Sequence, residues 1–308
     1  SGAIMDKDLT YQIKELKKEK NAIILAHFYQ PPEIQELADA VGDSYYLSEI
    51  ARDCKEEVVV FCGVRFMGES AKILSPEKTV LMPVSNAGCA MADMVDEEGV
   101  IKLRRQYRNA LFVCYINSTA KVKAHCDVSV TSSSAIKILE NIDNKEIIFL
   151  PDKNLGGYIA EQFPDKNFIF WDGYCKYHNN IRAEEIIELK DKYKNAEVLV
   201  HPECKKEIRD LGDYVGSTSG IIKYATNSKN KDFIIATEEG ILHELKKNNP
   251  NKNFYIPGGK ILCTDMKKTT LENLYSTLKN MENEVIVEDE IMEKALNSLL
   301  NMHKLAEG

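Results

Sequence analysis

The sequence predicts an α/β protein: three homologous α/β/α sandwich domains with parallel sheets. A cysteine-bearing phrase occurs three times, as Pro76 to Cys89 (PEKTVLMPVSNAGC), Pro164 to Cys175 (PDKNFIFWDGYC) and Pro250 to Cys263 (PNKNFYIPGGKILC). Each reads Pro-x-Lys, apolar strand, small-residue loop, cysteine. A constant spacing accompanies it: an Asn-Ala junction before an apolar run stands at Asn21, recurs 88 residues on at Asn109 and 86 further at Asn195. The same two steps relate His27, Tyr115 and His201; Asp39, Asp127 and Asp213; Ser44, Ser132 and Thr218; and the three prolines. Offsets shared this widely mark a threefold duplication, with a period too long for a solenoid repeat. Apolar runs separated by helical patterns argue for parallel sheets covered on both faces.

In chain order, Ile13 and Leu16 among lysines give a helix over 9–20. The Ser-Gly-Ala-Ile before Met5 reads as an expression scar outside the fold. Each copy then runs strand (IILAHFYQ, LFVCYINS, EVLVHPE), short helix, strand or loop at the aspartate, helix, strand (VVVFCGV, EIIFLPD, DFIIATE), helix, strand, loop, cysteine. Helices over 96–107 and 182–193 link the copies. The domains are expected at 5–89, 90–175 and 176–266. The remainder, 267–308, is expected to pack on the first as helix, strand-like EVIV and helix.

A chain of 308 residues, 44% hydrophobic and 29% charged, is ordinary for a globular protein with a large core. Its net charge of −8 argues against a nucleic-acid or membrane-surface binder. No apolar run reaches the ~18 residues of a bilayer span and no signal peptide opens the chain, so a cytoplasmic location is expected. In a chain too large to need a disulfide framework and with no secretion signal, the eight cysteines are expected to be reduced; they include no C-x-x-C, so any metal site must be assembled from distant segments.

Cys54, Cys62, Cys114, Cys126 and Cys204 occur in single copies and read as small buried hydrophobes. Cys89, Cys175 and Cys263 occupy the same loop of every copy, after the carboxyl end of a strand, where parallel α/β folds bind ligands. Three converging thiolates suit zinc with an open fourth position, or a [4Fe–4S] cluster held through three irons. The hydroxyls of Ser44, Ser132 and Thr218 each precede a helical pattern. Singly they read as N-caps; together they would form an anion-binding chamber. At the strand ends, His27, Tyr115 and His201 are followed two residues on by Tyr29, Asn117 and Glu203, on the same side of the chain. Buried groups of this kind serve as general acids and bases.

These motifs, IILAHFYQ, VGDS, YINST, VTSSSA, PDKNLG, VHPEC, VGSTSG and CTDMKKTTLEN, taken in order, make the chain from Met5 onward resemble the quinolinate synthase family. The resemblance implies three α/β/α domains about a pseudo-threefold axis and a [4Fe–4S] cluster on Cys89, Cys175 and Cys263 with one open iron acting as a Lewis acid. It further implies condensation of iminoaspartate with dihydroxyacetone phosphate to quinolinate, with release of phosphate and two waters, in NAD biosynthesis. A functional link to the oxidase or dehydrogenase that produces iminoaspartate would follow. Carried over by motif, the substrate contacts are His27, Ser44, Tyr115, Asn117, Ser132, His201, Glu203 and Thr218, and the acid–base groups are Tyr29, His201 and Glu203. Ala90 after the first cysteine, the GYCKYH context of the second and Phe28 depart from the family pattern and bear on local loop shape. Two other readings compete: another open-iron hydro-lyase, and a non-catalytic iron–sulfur sensor, which would need no anion chamber.

Overall fold

A computed structural model describes residues 2–308. Three four-stranded sheets, every strand pairing parallel, are built by successive stretches of chain. The first comprises β1 (Ala22–His27), β2 (Ala40–Gly42), β3 (Val58–Cys62) and β4 (Thr79–Leu81). The second comprises β5 (Leu111–Tyr115), β6 (Val128–Val130), β7 (Glu146–Leu150) and β8 (Asn167–Phe170). The third comprises β9 (Glu197–Val200), β10 (Tyr214–Val215), β11 (Asp232–Ala236) and β12 (Asn253–Tyr255). The spatial orders are β2-β1-β3-β4, β6-β5-β7-β8 and β10-β9-β11-β12. In each, the chain leaves the opening strand toward one side and later returns to its other side. That reversal leaves a crevice at the carboxyl ends of β1, β5 and β9, where open α/β sheets bind ligands.

The duplication extends to single hydrogen bonds. Asp39, Asp127 and Asp213 each accept from a backbone N–H in the opening strand of their sheet, Ile24, Phe112 and Val198, at 2.8 Å. Each Asp returns its own N–H to the carbonyl of that same residue. The lysine of each Pro-x-Lys phrase closes the loop that follows a helix. Lys78 donates to Cys54 and Glu56 carbonyls, Lys166 to those of Ile142 and Asn144, and Lys252 to those of Ala225 and Ser228. The repeated residues thus include a skeleton of folding determinants as well as the candidate site.

The central strands are buried on both faces, which explains their unbroken apolar runs. One face of the first sheet packs against Ile13 of the opening helix and Leu274 and Leu278 of the helix Leu271–Asn280. The other face joins the inner face of the second sheet in one continuous core, completed by Ala295, Leu299 and Met302 of the last helix, Asp289–Glu307. The third sheet has a core on each face, one of which takes in Phe28 of the first repeat. The opening helix is longer than expected, Gly2–Glu19, so residues 2–4 continue it, and Ser1 lies outside the described residues. EVIV does not form a strand: Glu284 makes a single bridge to Leu81, and the segment lies along the edge of β4. No described helix is long and apolar enough to cross a membrane.

Candidate functional site

The three carboxyl-terminal crevices face one cavity, a concave setting of the kind in which small molecules bind. All twelve residues singled out in the sequence line it: His27, Tyr29, Ser44 and Cys89 from the first repeat, Tyr115, Asn117, Ser132 and Cys175 from the second, and His201, Glu203, Thr218 and Cys263 from the third.

The cysteine loops are held alike. The backbone N–H just beyond each third strand, of Arg65, Lys153 and Glu239, donates at 2.8 Å to the carbonyl two residues before a cysteine, that of Ala87, Gly173 and Ile261. The backbone N–H three residues after each cysteine, of Ala92, His178 and Met266, donates to its sulfur. Burial, together with nearby negative charge, raises all three thiols, Cys89 to about 12 and Cys263 to about 11, so without a metal they stay protonated. Three sulfurs from three repeats, each receiving an N–H and none paired with a cationic side chain, fit a metal group that would draw off their protons. By contrast Cys62, Cys114, Cys126 and Cys204 are buried in the cores.

At the strand ends, His27 Nδ1 accepts the Tyr29 N–H at 3.0 Å, and His201 Nδ1 accepts the Glu203 N–H at 3.1 Å. Burial lowers His27 to about 3 and His201 to about 4. Both rings are therefore neutral at pH 7, and with Nδ1 accepting, each carries its hydrogen on Nε2 as a donor. Tyr115, at the equivalent position, donates to Glu203 Oε2 at 2.6 Å. Burial alone would raise the Glu203 carboxyl, but His178, His201 and that hydroxyl outweigh it and hold Glu203 below the usual carboxylate range. Burial pushes Tyr29 and Tyr115 well above their ordinary value, so both keep their protons. Asn117 Oδ1 is buried without a partner, an acceptor waiting for a ligand.

The hydroxyls turn out not to be the caps. Asp43 caps the helix that begins at Ser44, and Ser217 caps the one that begins at Thr218. At the third position Thr131 and Ser134 bond each other, and Ser132 lies in the turn between them. In the first and third copies a neighbour caps the helix and leaves the repeated hydroxyl for the cavity, whereas the second copy's helix, Ala135–Glu140, starts without a side-chain cap.

His178 and Glu238 line the cavity but escaped the sequence reading. His178 places Nδ1 3.2 Å from Cys175 Sγ, and Glu238 lies two residues beyond the end of β11. Glu238, almost fully buried, accepts from the Cys263 N–H at 2.8 Å and from Lys267 Nζ at 2.9 Å. Lys267 also donates to the Tyr29 carbonyl, tying the first repeat to the third cysteine loop. A signal for Glu238 existed: Asp152 holds the same place in the second copy.

Fold and site together define an enzyme whose three α/β units enclose one polar cavity lined with thiols, hydroxyls and acid–base groups. Comparison with known proteins specifies the family. Residues 11–304 match the family described as Quinolinate synthetase A protein, and the chain belongs to it. It is 99% identical over 304 residues to a quinolinate synthase of Clostridioides difficile (strain 630), covering 99% of this chain and 100% of that protein. It is 59% identical over 298 residues to a quinolinate synthase of Clostridium perfringens (strain 13 / Type A), covering 97% of this chain and 99% of that one. It is 52% identical over 295 residues to one from Caldicellulosiruptor saccharolyticus, covering 96% and 97%.

Proposed function

We propose that the chain condenses iminoaspartate with dihydroxyacetone phosphate to quinolinate, releasing phosphate and two waters, as a step of NAD biosynthesis. The observation that carries this reading is the convergence, on one cavity, of equivalent cysteines, hydroxyls and strand-end groups from all three repeats. Cys89, Cys175 and Cys263 would hold a [4Fe–4S] cluster. When bound through three protein ligands, such a cluster supplies a Lewis acid at its remaining iron.

The substrates bring a phosphate and two carboxylates. The Nε2–H groups of His27 and His201 and the hydroxyls of Ser44, Ser132 and Thr218 bind these anions. The free Asn117 carbonyl accepts from a substrate N–H or O–H. Ring closure with loss of water requires protons to leave carbon and nitrogen and reach departing oxygens. Ionised Glu203 accepts a proton, His201 holds the substrate beside it, and protonated Tyr29 is positioned to donate. Burial of these groups keeps bulk water from the reacting atoms. The iminoaspartate would come from an oxidase or dehydrogenase acting on aspartate.

The test is turnover by anaerobically reconstituted protein. Quinolinate is expected from the two substrates together and from neither alone. Glu203→Gln is expected to lower kcat by about 10²- to 10⁴-fold at unchanged iron content. Absence of quinolinate from protein loaded with iron and sulfide would refute the reading. One observation favours a second metal arrangement: ligand atoms of Cys175, His178 and Glu203 lie within 4.8 Å of one another, a set suited to a single ion. One metal per chain without sulfide, retained in Cys89→Ala, would identify it.

A further inference from the structure

Gln35, Lys123 and Arg209 stand 88 and 86 residues apart, the two steps of the duplication, although no two of them are the same residue type. Each is buried, in the short helix that follows the opening strand of its repeat: Pro32–Leu37, Ala120–Lys123 and Lys206–Arg209. What they share is a long side chain with at least two N–H hydrogens. Gln35 Nε2 donates at 2.9 Å to the carbonyls of both Phe28 and Gln30. Lys123 Nζ donates to those of Ile116 at 2.7 Å and Ser118 at 2.5 Å, and Arg209 Nη1 donates to that of Cys204 at 3.0 Å. Gln30, Ser118 and Cys204 are one repeated position, three residues after His27, Tyr115 and His201. The same side chains also reach a neighbouring repeat. Gln35 Nε2 lies 3.3 Å from the Gly240 carbonyl of the third repeat, and Arg209 Nη1 donates at 3.2 Å to the Asn154 carbonyl of the second. Lys123 Nζ stands 5.8 Å from the centre of the Phe66 ring of the first. Phe66, Asn154 and Gly240 are again equivalent, each the fourth residue beyond β3, β7 or β11. We propose that Gln35, Lys123 and Arg209 are positioning residues, one in each repeat, whose buried donors clasp the strand-end loop of their own repeat to the next repeat and so hold the site groups of all three loops in register around the cavity. The inference deepens the quinolinate synthase reading and rests on it for the reaction served.

The clasped carbonyls sit beside the residues that face the cavity. Phe28 and Gln30 flank Tyr29, Ile116 and Ser118 flank Asn117, and Cys204 follows Glu203. Holding the peptide on either side of a residue fixes the direction in which its side chain leaves the chain. A buried carbonyl that loses its donor costs about 1–3 kcal/mol, so the loops stay where the donors are. Lys123 makes the demand plainest: it is fully buried and gives its hydrogen bonds to carbonyls, an unusual setting for a lysine. The contacts to the neighbours run from first repeat to third, from third to second and from second to first, so the ring closes. A shift at one loop is therefore resisted by the next repeat as well as by its own helix.

Two measurements test this. In hydrogen–deuterium exchange of the full-length protein, Gln35→Met is expected to speed exchange about 10-fold at 28–30 and, in the third repeat, at 239–241. Arg209→Met should do the same at 203–204 and 153–155, and Lys123→Met at 116–118 and 65–67, with the loops of the intact clasps at the wild-type rate. A rise confined to the variant's own repeat, or one spread evenly over all three, would overturn the proposal. In anaerobically reconstituted enzyme, Lys123→Met, which frees Asn117, is expected to raise KM, and Arg209→Met, which frees Glu203, to lower kcat, each about 10- to 100-fold at unchanged iron content. Lys123→Arg and Arg209→Lys keep a donor and should recover most of the loss. Conservative variants as impaired as the methionine ones, or methionine variants with wild-type kcat and KM, would equally overturn it. If the methionine variants of the two charged residues do not fold, Gln35→Met, which exchanges one neutral side chain for another, decides the exchange pattern. A wild type that makes no quinolinate would refute the assigned reaction, while the exchange pattern would still decide the clasp.

Discussion

His303 shows how much of this fold depends on neutral imidazoles. Its Nε2 lies 3.4 Å from Ser48 Oγ, which gives its own hydrogen to the Tyr45 carbonyl, and its Nδ1 has no partner. Burial, reinforced by the charge of Arg52, lowers it from 6.5 to about 4. The unfolded chain therefore binds this proton at a higher pH than the folded one. Stability is complete above about pH 6.5, falls as pH drops from there toward 4, and levels off below. The melting temperature of the cluster-free protein is expected to fall between pH 7 and pH 5, and to fall less in His303→Leu; equal falls would remove His303 from the account. At this scale the sequence was legible where a residue had counterparts. Cys89, Cys175 and Cys263, or His27 with Tyr115 and His201, could be separated from incidental cysteines and histidines by repetition alone. His178 lines the cavity from a single copy, where the other repeats hold Ala92 and Met266, so no pattern pointed to it.

At the scale of elements, the duplication preserves the junctions that set strand pairing. Asp213 accepts the Val198 N–H and returns its own to the same residue's carbonyl, fixing β10 against β9. Asp213→Ala is expected to lower the unfolding free energy by about 1–3 kcal/mol in denaturant titrations, because it leaves a backbone donor of the strand without its partner. Asp127→Ala should cost more, since Asp127 also receives two hydrogen bonds from Arg104, at 3.1 and 2.9 Å. Strand–helix alternation and parallel pairing were readable from apolar runs and spacing. EVIV misled because its run of three β-branched residues suggests a strand, whereas only one bridge forms there and Ile286 faces solvent. The hydroxyl sites were readable in place but not in role, since capping by Asp43 and Ser217 is settled by side-chain geometry.

For the whole molecule, the last helix joins the first two repeats. Ser298 bonds Ser129 of the second sheet at 3.1 Å, and Leu299 is fully buried in the core that the first two sheets share. Leu299→Ala is expected to cost about 2–5 kcal/mol in equilibrium unfolding, with loss of structure in both repeats together. Placement of this helix between repeats depends on packing of distant surfaces, which spacing along the chain does not encode. The central claim is that three equivalent cysteines, one from each repeat, meet to hold one metal group on which quinolinate formation depends. Iron and acid-labile sulfide should be counted in anaerobically reconstituted wild type and in Cys89→Ala, Cys175→Ala and Cys263→Ala, with quinolinate assayed on the same samples. The account predicts about four iron and four sulfide per wild-type chain, with cluster and quinolinate lost together in every variant. Full quinolinate formation by any one variant lacking the cluster would contradict it.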